Sequence, residues 1–407
     1  MGRSFKLFYL QTRESRTTMQ SRKGVRSGKF WGALKVEQKH ERLDFIQRLL
    51  LEYAFYNDNS NKSDKSLLSR INVLHELGIA YRSVGELKKA KEALETALQL
   101  INETDADLAQ VKLSILQQLG WLYRISGQTD KAINLGQKLL ELAERLGDVQ
   151  NKAVTLNNLA IIFAQRGETD NAVELYQQSL EITQRIGDIQ GQAENLHNLA
   201  EIYSQRGEID RAILLYQQSL MLKQDLGDIQ GEAATLNDLA HIFSQQGKID
   251  KSIALYQKSK EIFQHLGDIQ GLATTINNLG LIYSEQGDVD TAIGLYEEAL
   301  ELAQKMGDMS LKAATLHNLA HIHTQKGEID SAMSLFRESL ELEEYTGNIQ
   351  GQALTLWWLG ELAEKQGNLA YSMSYLQQSL EILLHLKSPD AESVKEAIAK
   401  VREGSGD

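Results

Sequence analysis

Residues 187–226 read GDIQGQAENLHNLAEIYSQRGEIDRAILLYQQSLMLKQDL, and residues 227–266 read GDIQGEAATLNDLAHIFSQQGKIDKSIALYQKSKEIFQHL. A near self-match at a fixed spacing settles the architecture before any single residue does. Aligned on a Leu-Gly or Leu-Ala pair, the units fall at Leu77, Leu119, Leu159, Leu199, Leu239, Leu279, Leu319 and Leu359. That is eight units, one step of 42 residues and then steps of 40. Such a chain is one quasi-linear stack in which each unit touches its neighbours, so length is a poor guide to domain number.

Within the unit from Gly187, Ala193, Leu196, Leu199, Ala200 and Tyr203 recur at the spacing of one helical face. Gly207 breaks that helix. Asp210 is expected to recap the chain, and Ala212, Ile213, Leu215, Tyr216 and Leu220 form a second stripe. Gly227 closes the second helix at a left-handed position. Each unit is therefore a helical hairpin, with Ala200 facing Ala212 so that the two helices approach closely. The fold class is all-α, an α-solenoid of about eight hairpins.

Two glycine columns recur without exception: Gly127 to Gly367 within hairpins and Gly147 to Gly347 between them. Both are expected to need positive φ. The column of Gly191, Gly231, Gly271 and Gly351 differs, because Asn151 and Leu311 share its slot. GDIQG therefore reads as a helix junction with no special backbone. It is not a phosphate loop, since no Lys-Ser/Thr follows and no strand precedes it.

The chain has no cysteine, which removes disulfides, thiolate metal sites and cysteine nucleophiles, and fits a cytoplasmic setting. Its single proline, Pro389, suits long helices. No run of about 18 apolar residues is present to span a membrane, and Leu7 to Leu10 is too short for a signal-peptide core. The net charge of −12 is uneven. Residues 1–40 hold ten Lys and Arg against two acidic residues; the rest holds 33 against 53.

Residues 1–40 show no sustained period and read as a disordered basic arm. Three readings stand side by side: a tail or upstream start, with Met19 an alternative first residue; an arm for nucleic acid or an anionic surface; or a transit peptide. Residues 41–65 read as a leading helix carrying Leu43, Ile46, Leu50 and Phe55, then a polar linker, with Asp64 as an N-cap. The hairpin array runs over 66–388. Residues 389–407 read as a polar-faced helix capping the stack, then a disordered GSGD tail.

The pattern Leu199-Ala200, Tyr203, Gly207, Ala212, Tyr216, Ser219-Leu220 resembles the tetratricopeptide repeat. That family's usual period is 34, with a proline closing the second helix. The 40-residue period with Gly-Asp in place of proline resembles the longer-helix repeats of kinesin light chains, Partner-of-Inscuteable adaptors and bacterial signalling proteins. The resemblance implies a right-handed superhelix, a concave groove lined by first helices, protein or peptide binding, and no catalytic residues.

The face of each first helix opposite the core collects Glu194, His197, Asn198, Glu201, Ser204 and Gln205 in the unit from 187. One slot along the array reads Gln118, Asn158, Asn198, Asp238, Asn278, Asn318, Trp358; the slot before it reads Gln117, Asn157, His197, Asn237, Asn277, His317, Trp357. An amide offers donor and acceptor together and suits the backbone of an extended peptide. In similar proteins, asparagines at the slot of Asn158, Asn198, Asn278 and Asn318 clamp peptide backbone. The competing reading is that these amides pack between helices or are merely solvated.

The groove lacks a Lys or Arg cluster, holding chiefly Glu201, Glu285 and Glu361 with Lys365 at one end, so a neutral or basic partner is expected over an acidic one. His317, His321 and His323 have too few ligands at suitable spacing for a metal site, and His241 shares the slot of His321. Trp357 and Trp358 either pack under the terminal helix or form an aromatic anchor pocket. No catalytic constellation or cofactor motif is present, and the chain is expected not to be an enzyme. The expected function is a protein-interaction scaffold. The alternative is a regulatory sensor whose basic arm contacts nucleic acid or an anionic surface; self-association through the open ends is a third reading.

Overall fold

The computed structural model describes residues 45–51, 53, 64–102 and 108–405. The basic arm at 1–40, the polar linker and the Asp64 side chain lie outside what it describes. Among the described residues there are helices and turns but no strand. A leading helical segment covers 45–51. The helices that follow are α1 (Asp64–Ser83), α2 (Leu87–Asn102), α3 (Ala109–Ile125), α4 (Thr129–Leu146), α5 (Val149–Gln165), α6 (Thr169–Ile186), α7 (Ile189–Gln205), α8 (Ile209–Leu226), α9 (Ile229–Gln245), α10 (Ile249–Leu266), α11 (Ile269–Glu285), α12 (Val289–Met306), α13 (Met309–Gln325), α14 (Ile329–Thr346), α15 (Ile349–Lys365), α16 (Leu369–His385) and α17 (Asp390–Ser405). Odd and even helices pair as hairpins up to α16.

By packing, the chain divides into Met1–Ile182 and Thr183–Asp407. In the first unit, Ile46 and Leu49 of the leading segment join Ile71, Leu74, Leu94, Ile115 and Leu119 in one core. Leu50, expected on the buried stripe, is 43% exposed. The helix presents Ile46, Leu49 and Tyr53 inward instead. In the second unit each hairpin repeats one core: Ala240, Tyr256, Leu279 and Ile282, then Ala292, Tyr296, Leu319 and Ile322, then Ala332, Phe336, Leu359 and Leu362. Helix α17 closes the far end with Ala391, Val394, Ile398 and Val401 against Leu376 and Leu383. It runs to Ser405, two residues into the expected tail.

Capping is asymmetric. From α5 onward first helices start at a side-chain cap: Asp148, Asp188, Asp228, Asp268 and Asp308 each accept from the backbone N–H three residues on at 3.0 Å, and Asn348 does the same. Helix α3, after Leu108, lacks one, and among second helices α12 has one, Asp288 accepting from Thr291 N–H at 3.3 Å. Second helices start one position before the expected cap. Helix α8 begins at Ile209 with Glu208 as an N-cap that makes no side-chain bond. Asp210 therefore lies inside the first turn, where its charge faces the positive end of the helix dipole. Both glycine columns take positive φ, from +65° at Gly147 to +80° at Gly287. Inside the hairpins, Ala200 and Ala212 are fully buried. Ser179, Ser219, Ser259, Ser339 and Ser379 each donate across to a first-helix alanine carbonyl at 2.7–2.8 Å.

The third glycine column takes no positive φ, as expected of a slot without special backbone, yet its slot is sterically restricted. A β-carbon on Gly191 would stand 2.7 Å from Thr183 Cγ2, on Gly231 3.0 Å from Lys223 Cδ, and on Gly351 2.8 Å from Glu343 Oε1; on Gly271 it would overlap the Phe263 ring. At Gly191, Gly231 and Gly351 the cap side chain of Asp188, Asp228 or Asn348 stands closer still; the other obstructing side chain, and at Gly271 the nearest one, lies eight residues upstream, at the end of the preceding second helix. Where the slot holds Asn151 or Leu311, the upstream residue is Ala143 or Ala303. The junction therefore holds one bulky side chain, placed on either helix.

Gly271→Leu alone should destabilise by about 1–3 kcal/mol through overpacking. Phe263→Ala alone should cost about 3–5 kcal/mol. The double variant rebuilds the Ala303–Leu311 arrangement and should recover much of the loss, with a coupling of about 1–3 kcal/mol in a urea double-mutant cycle. Simple additivity would contradict the exchange. A second test uses Lys387, the one described non-glycine residue at positive φ (53°), which stands in the slot of Gly347. Lys387→Gly should raise stability by about 1 kcal/mol.

Candidate functional site

In the second unit, the first helices of successive hairpins touch through the slots that the sequence marks out. Asn277 is 9% exposed. Its Oδ1 accepts from Thr315 Oγ1 and from Asn318 Nδ2, both at 3.2 Å. Asn278 Nδ2 donates to Asn237 Oδ1 at 3.5 Å. Asn198, Asn278 and Asn318 are half-buried on the same helical face, and Glu201 and His241 are exposed. In the first unit, Asn157 is half-buried and Asn158 exposed.

Two networks stand out beneath this face. At α7–α9 the Lys223 ammonium, only 6% exposed as a residue, donates to Thr235 Oγ1 at 2.8 Å and lies 3.3 Å from His197 Nδ1. Thr235 passes its own proton to the Gly231 carbonyl at 2.8 Å. An ammonium has no acceptor to offer, so His197 Nδ1 accepts and its Nε2–H faces Asp238 Oδ2 at 3.4 Å. At α13–α15 the arrangement recurs with inverted chemistry. Glu343 Oε1 accepts from Ser339 and Thr355 at 3.2 Å, and His317 Nδ1 lies 2.8 Å from Thr355 Oγ1. Glu343 Oε2 has no partner among the described residues.

Burial decides the protonation states here. It pushes the His197 imidazole down to about 3, with the Lys223 charge adding to the effect. Burial, then the neighbouring His321, lowers His317 to about 4. Burial and the adjacent Glu201 carboxylate push Asp238 up to about 6, against the pull of Lys223 and a hydrogen bond from Asn237. Burial also lowers Lys223, opposed by Asp228, Asp238 and Glu194, and raises Glu343. The desolvated form that each group avoids is the charged one.

The remaining marked residues separate. His321 meets the Trp358 ring edge-on at 4.9 Å, and Trp358 stacks on Phe336 at 6.2 Å. Trp357 packs into the core beneath α17 and donates to Glu361 at 3.0 Å. Trp357 thus lies under the cap, one of the two readings offered, while Trp358 packs against the preceding hairpin. His323 pairs with Glu328 at 2.6 Å. The three histidines of HNLAHIH take separate partners, and among the described residues no group of three or more His, Cys, Asp or Glu converges as a metal site would require. Lys260 reaches Glu298 of the next second helix at 3.0 Å. Among the described residues no helix is long and apolar enough to cross a membrane.

The sequence reading missed Lys223, Thr235, Glu343, Thr355 and the Tyr216, Tyr256 and Tyr296 hydroxyls. The signal was available in one column, where positions 143 to 383 at steps of 40 read Ala, Thr, Lys, Phe, Ala, Glu, Leu. Two charged residues in an otherwise apolar or small column mark the networks.

His317 has a folded pKa below its ordinary value of 6.5, so the fold prefers the neutral ring. The stability this contributes is complete above about pH 6.5 and is lost as pH falls towards 4. His317→Asn installs the residue of the Asn157, Asn237 and Asn277 slot. Its stability relative to the wild type should rise steadily from pH 6.5 to 4, read from urea midpoints at each pH. A flat difference would contradict a buried neutral ring.

A sequence profile described as tetratricopeptide repeat matches residues 69–145, 151–225, 231–305 and 272–344. No curated protein sequence matches the chain. Among solved structures it is similar to the apo form of the quorum sensor NprR from B. thuringiensis. Identity there is 15% and the TM-score 0.65, covering 86% of this chain and 99% of that one. It is also similar to a signal-transduction ATPase with a tetratricopeptide repeat sensor from Pyrococcus horikoshii, at 17% identity and a TM-score of 0.59, covering 86% and 51%. At such identities the likeness shows the fold alone. With the repeat profile matched over more than half of its length, the chain belongs to the tetratricopeptide repeat family.

Proposed function

We propose that the chain is a non-catalytic interaction module that takes an extended protein segment, neutral or basic, along the first-helix face of its second unit. The observation that carries this reading is the amide row Asn198, Asn278 and Asn318, half-buried and repeated at hairpin spacing on one face. A carboxamide has two donor hydrogens and two acceptor lone pairs. The hydrogen bond of Asn318 to Asn277 uses one donor and that of Asn278 to Asn237 one donor, which leaves capacity for peptide groups. Each such bond is worth about 0.5–1.5 kcal/mol net, so affinity comes from several acting together. Asp238 stands in the slot of the amide row, His241 and Glu201 border the same face, and His197, Asn237, Asn277 and His317 support it from below. Asn157 and Asn158 would play the corresponding part in the first unit, and Trp357 and Trp358 would close the far end.

The test compares the full chain with the variant Asn198→Ala, Asn278→Ala, Asn318→Ala. A second triple, Gln217→Ala, Gln257→Ala, Glu297→Ala, alters exposed positions of the second helices. Proteins co-purified with each are quantified by mass spectrometry. The asparagine triple should lose its specific partner by about tenfold or more, while the second triple retains it. Its melting should drop only modestly, because the hydrogen bonds of Asn278 to Asn237, at 3.5 Å, and of Asn318 to Asn277, at 3.2 Å, are long. Equal capture by all three proteins would overturn the reading.

A further inference from the structure

The second unit carries polar groups on its first-helix side that the amide row does not use. Tyr216, Tyr256 and Tyr296 recur on the second helices and are 3%, 1% and 1% exposed. Among the described residues no hydrogen bond reaches any of the three hydroxyls. The rings are buried, yet none of the three oxygens is among the buried atoms left without a partner, so the hydroxyl ends reach solvent. These three lie where groove carboxylates act on them. Asp238 and Glu201 raise Tyr216, Asp238 and Glu285 raise Tyr256, and Glu285 raises Tyr296, each after burial itself. The T-shaped contact of Tyr216 with His197, at 5.1 Å, fixes its ring beside the Asp238 carboxylate that His197 faces.

The carboxylates have no cation of their own. Lys223, the nearest ammonium, is spent on Thr235 and His197 and forms no ion pair with Glu201 or Asp238 among the described residues. His197 is neutral and lends Asp238 only a long contact. Glu201 is exposed and accepts only from Gln205 at 3.4 Å. Two like charges therefore face the same open side, above hydroxyls that can accept as well as donate. An incoming cation would relieve the repulsion and give the phenol oxygens a donor.

We propose that this face takes a lysine or arginine side chain of its extended partner between Glu201 and Asp238, over the unshared hydroxyls of Tyr216 and Tyr256. The inference rests on the groove reading above and adds the chemistry of the partner: a segment with a basic residue facing α7 and α9.

The test uses the full chain, immobilised, and two libraries of capped decapeptides randomised over Ala, Ser, Val and Leu around one central residue. In one library that residue is arginine; in the other it is citrulline, its neutral isostere. At low ionic strength the wild type should retain the arginine library about tenfold better. Asp238→Asn should reduce that preference to about twofold or less. The fold tolerates this substitution, because Asn158, Asn198, Asn278 and Asn318 hold the same slot. Glu201→Gln should act in the same direction, and Tyr216→Phe should weaken the preference without loss of helicity. Equal retention of both libraries by the wild type leaves the groove standing and overturns the cation site. So does an arginine preference that survives Asp238→Asn combined with Glu201→Gln. Retention of neither library overturns the groove reading and this inference with it.

Discussion

The stack depends on a steric constraint at each junction between hairpins. The start of a first helix must pass close to the end of the preceding second helix, and there is room for one large side chain between them. Phe263 against Gly271 meets the constraint from one side; Ala303 before Leu311 meets it from the other. Close packing makes this a hard limit, since interiors tolerate neither an added methylene nor a void. Lys223 and Glu343 are placed by the same rule. Their bulk is admitted by Gly231 and Gly351, and their charge is then a problem that Thr235, His197, Thr355 and Ser339 partly solve.

That solution shapes the chemistry of the exposed face. Burying Lys223 engages its ammonium with Thr235 and His197 rather than in an ion pair with Asp238. The carboxylate is left partly desolvated next to Glu201, and His197 is kept neutral between them. In the next two hairpins the slot of Asp238 returns to asparagine and the upstream position is phenylalanine, then alanine. The paired carboxylates of Glu201 and Asp238 thus lie near α7 and α9, while the amide row extends past them. Burying an unpaired charge is costly, so this arrangement has a local energetic cost that the apolar junctions avoid.

Much of the fold was legible in the sequence because its signals are local. The 40-residue period, the two apolar stripes and the positive-φ glycines all follow from short-range geometry. The errors have the same explanation in reverse. Gly231 reads correctly as free of special backbone, but its steric restriction stays hidden until the turn brings Lys223 over it. Asp210 reads as a cap because its type fits, yet the helix begins before it and the dipole uses its charge instead. Leu50 fits a helical stripe as well as Leu49, and tertiary contact with the first hairpin chooses Leu49. Asn277 was legible as a polar residue on a marked face, but its bonds to Thr315 and Asn318 come from the next hairpin and leave no trace within its own unit.

The alternating volumes at the junctions have a consequence for assembly of the stack. Hairpins this alike could in principle dock out of order, since their main cores are nearly interchangeable. The junction residues are not. Seating α8 on α13 in place of α9 would press Lys223 against Leu311, and seating α12 on α9 would leave a void between Ala303 and Gly231. Each junction acts as an address, written in size and charge, that allows neighbours to recognise their place among near-copies.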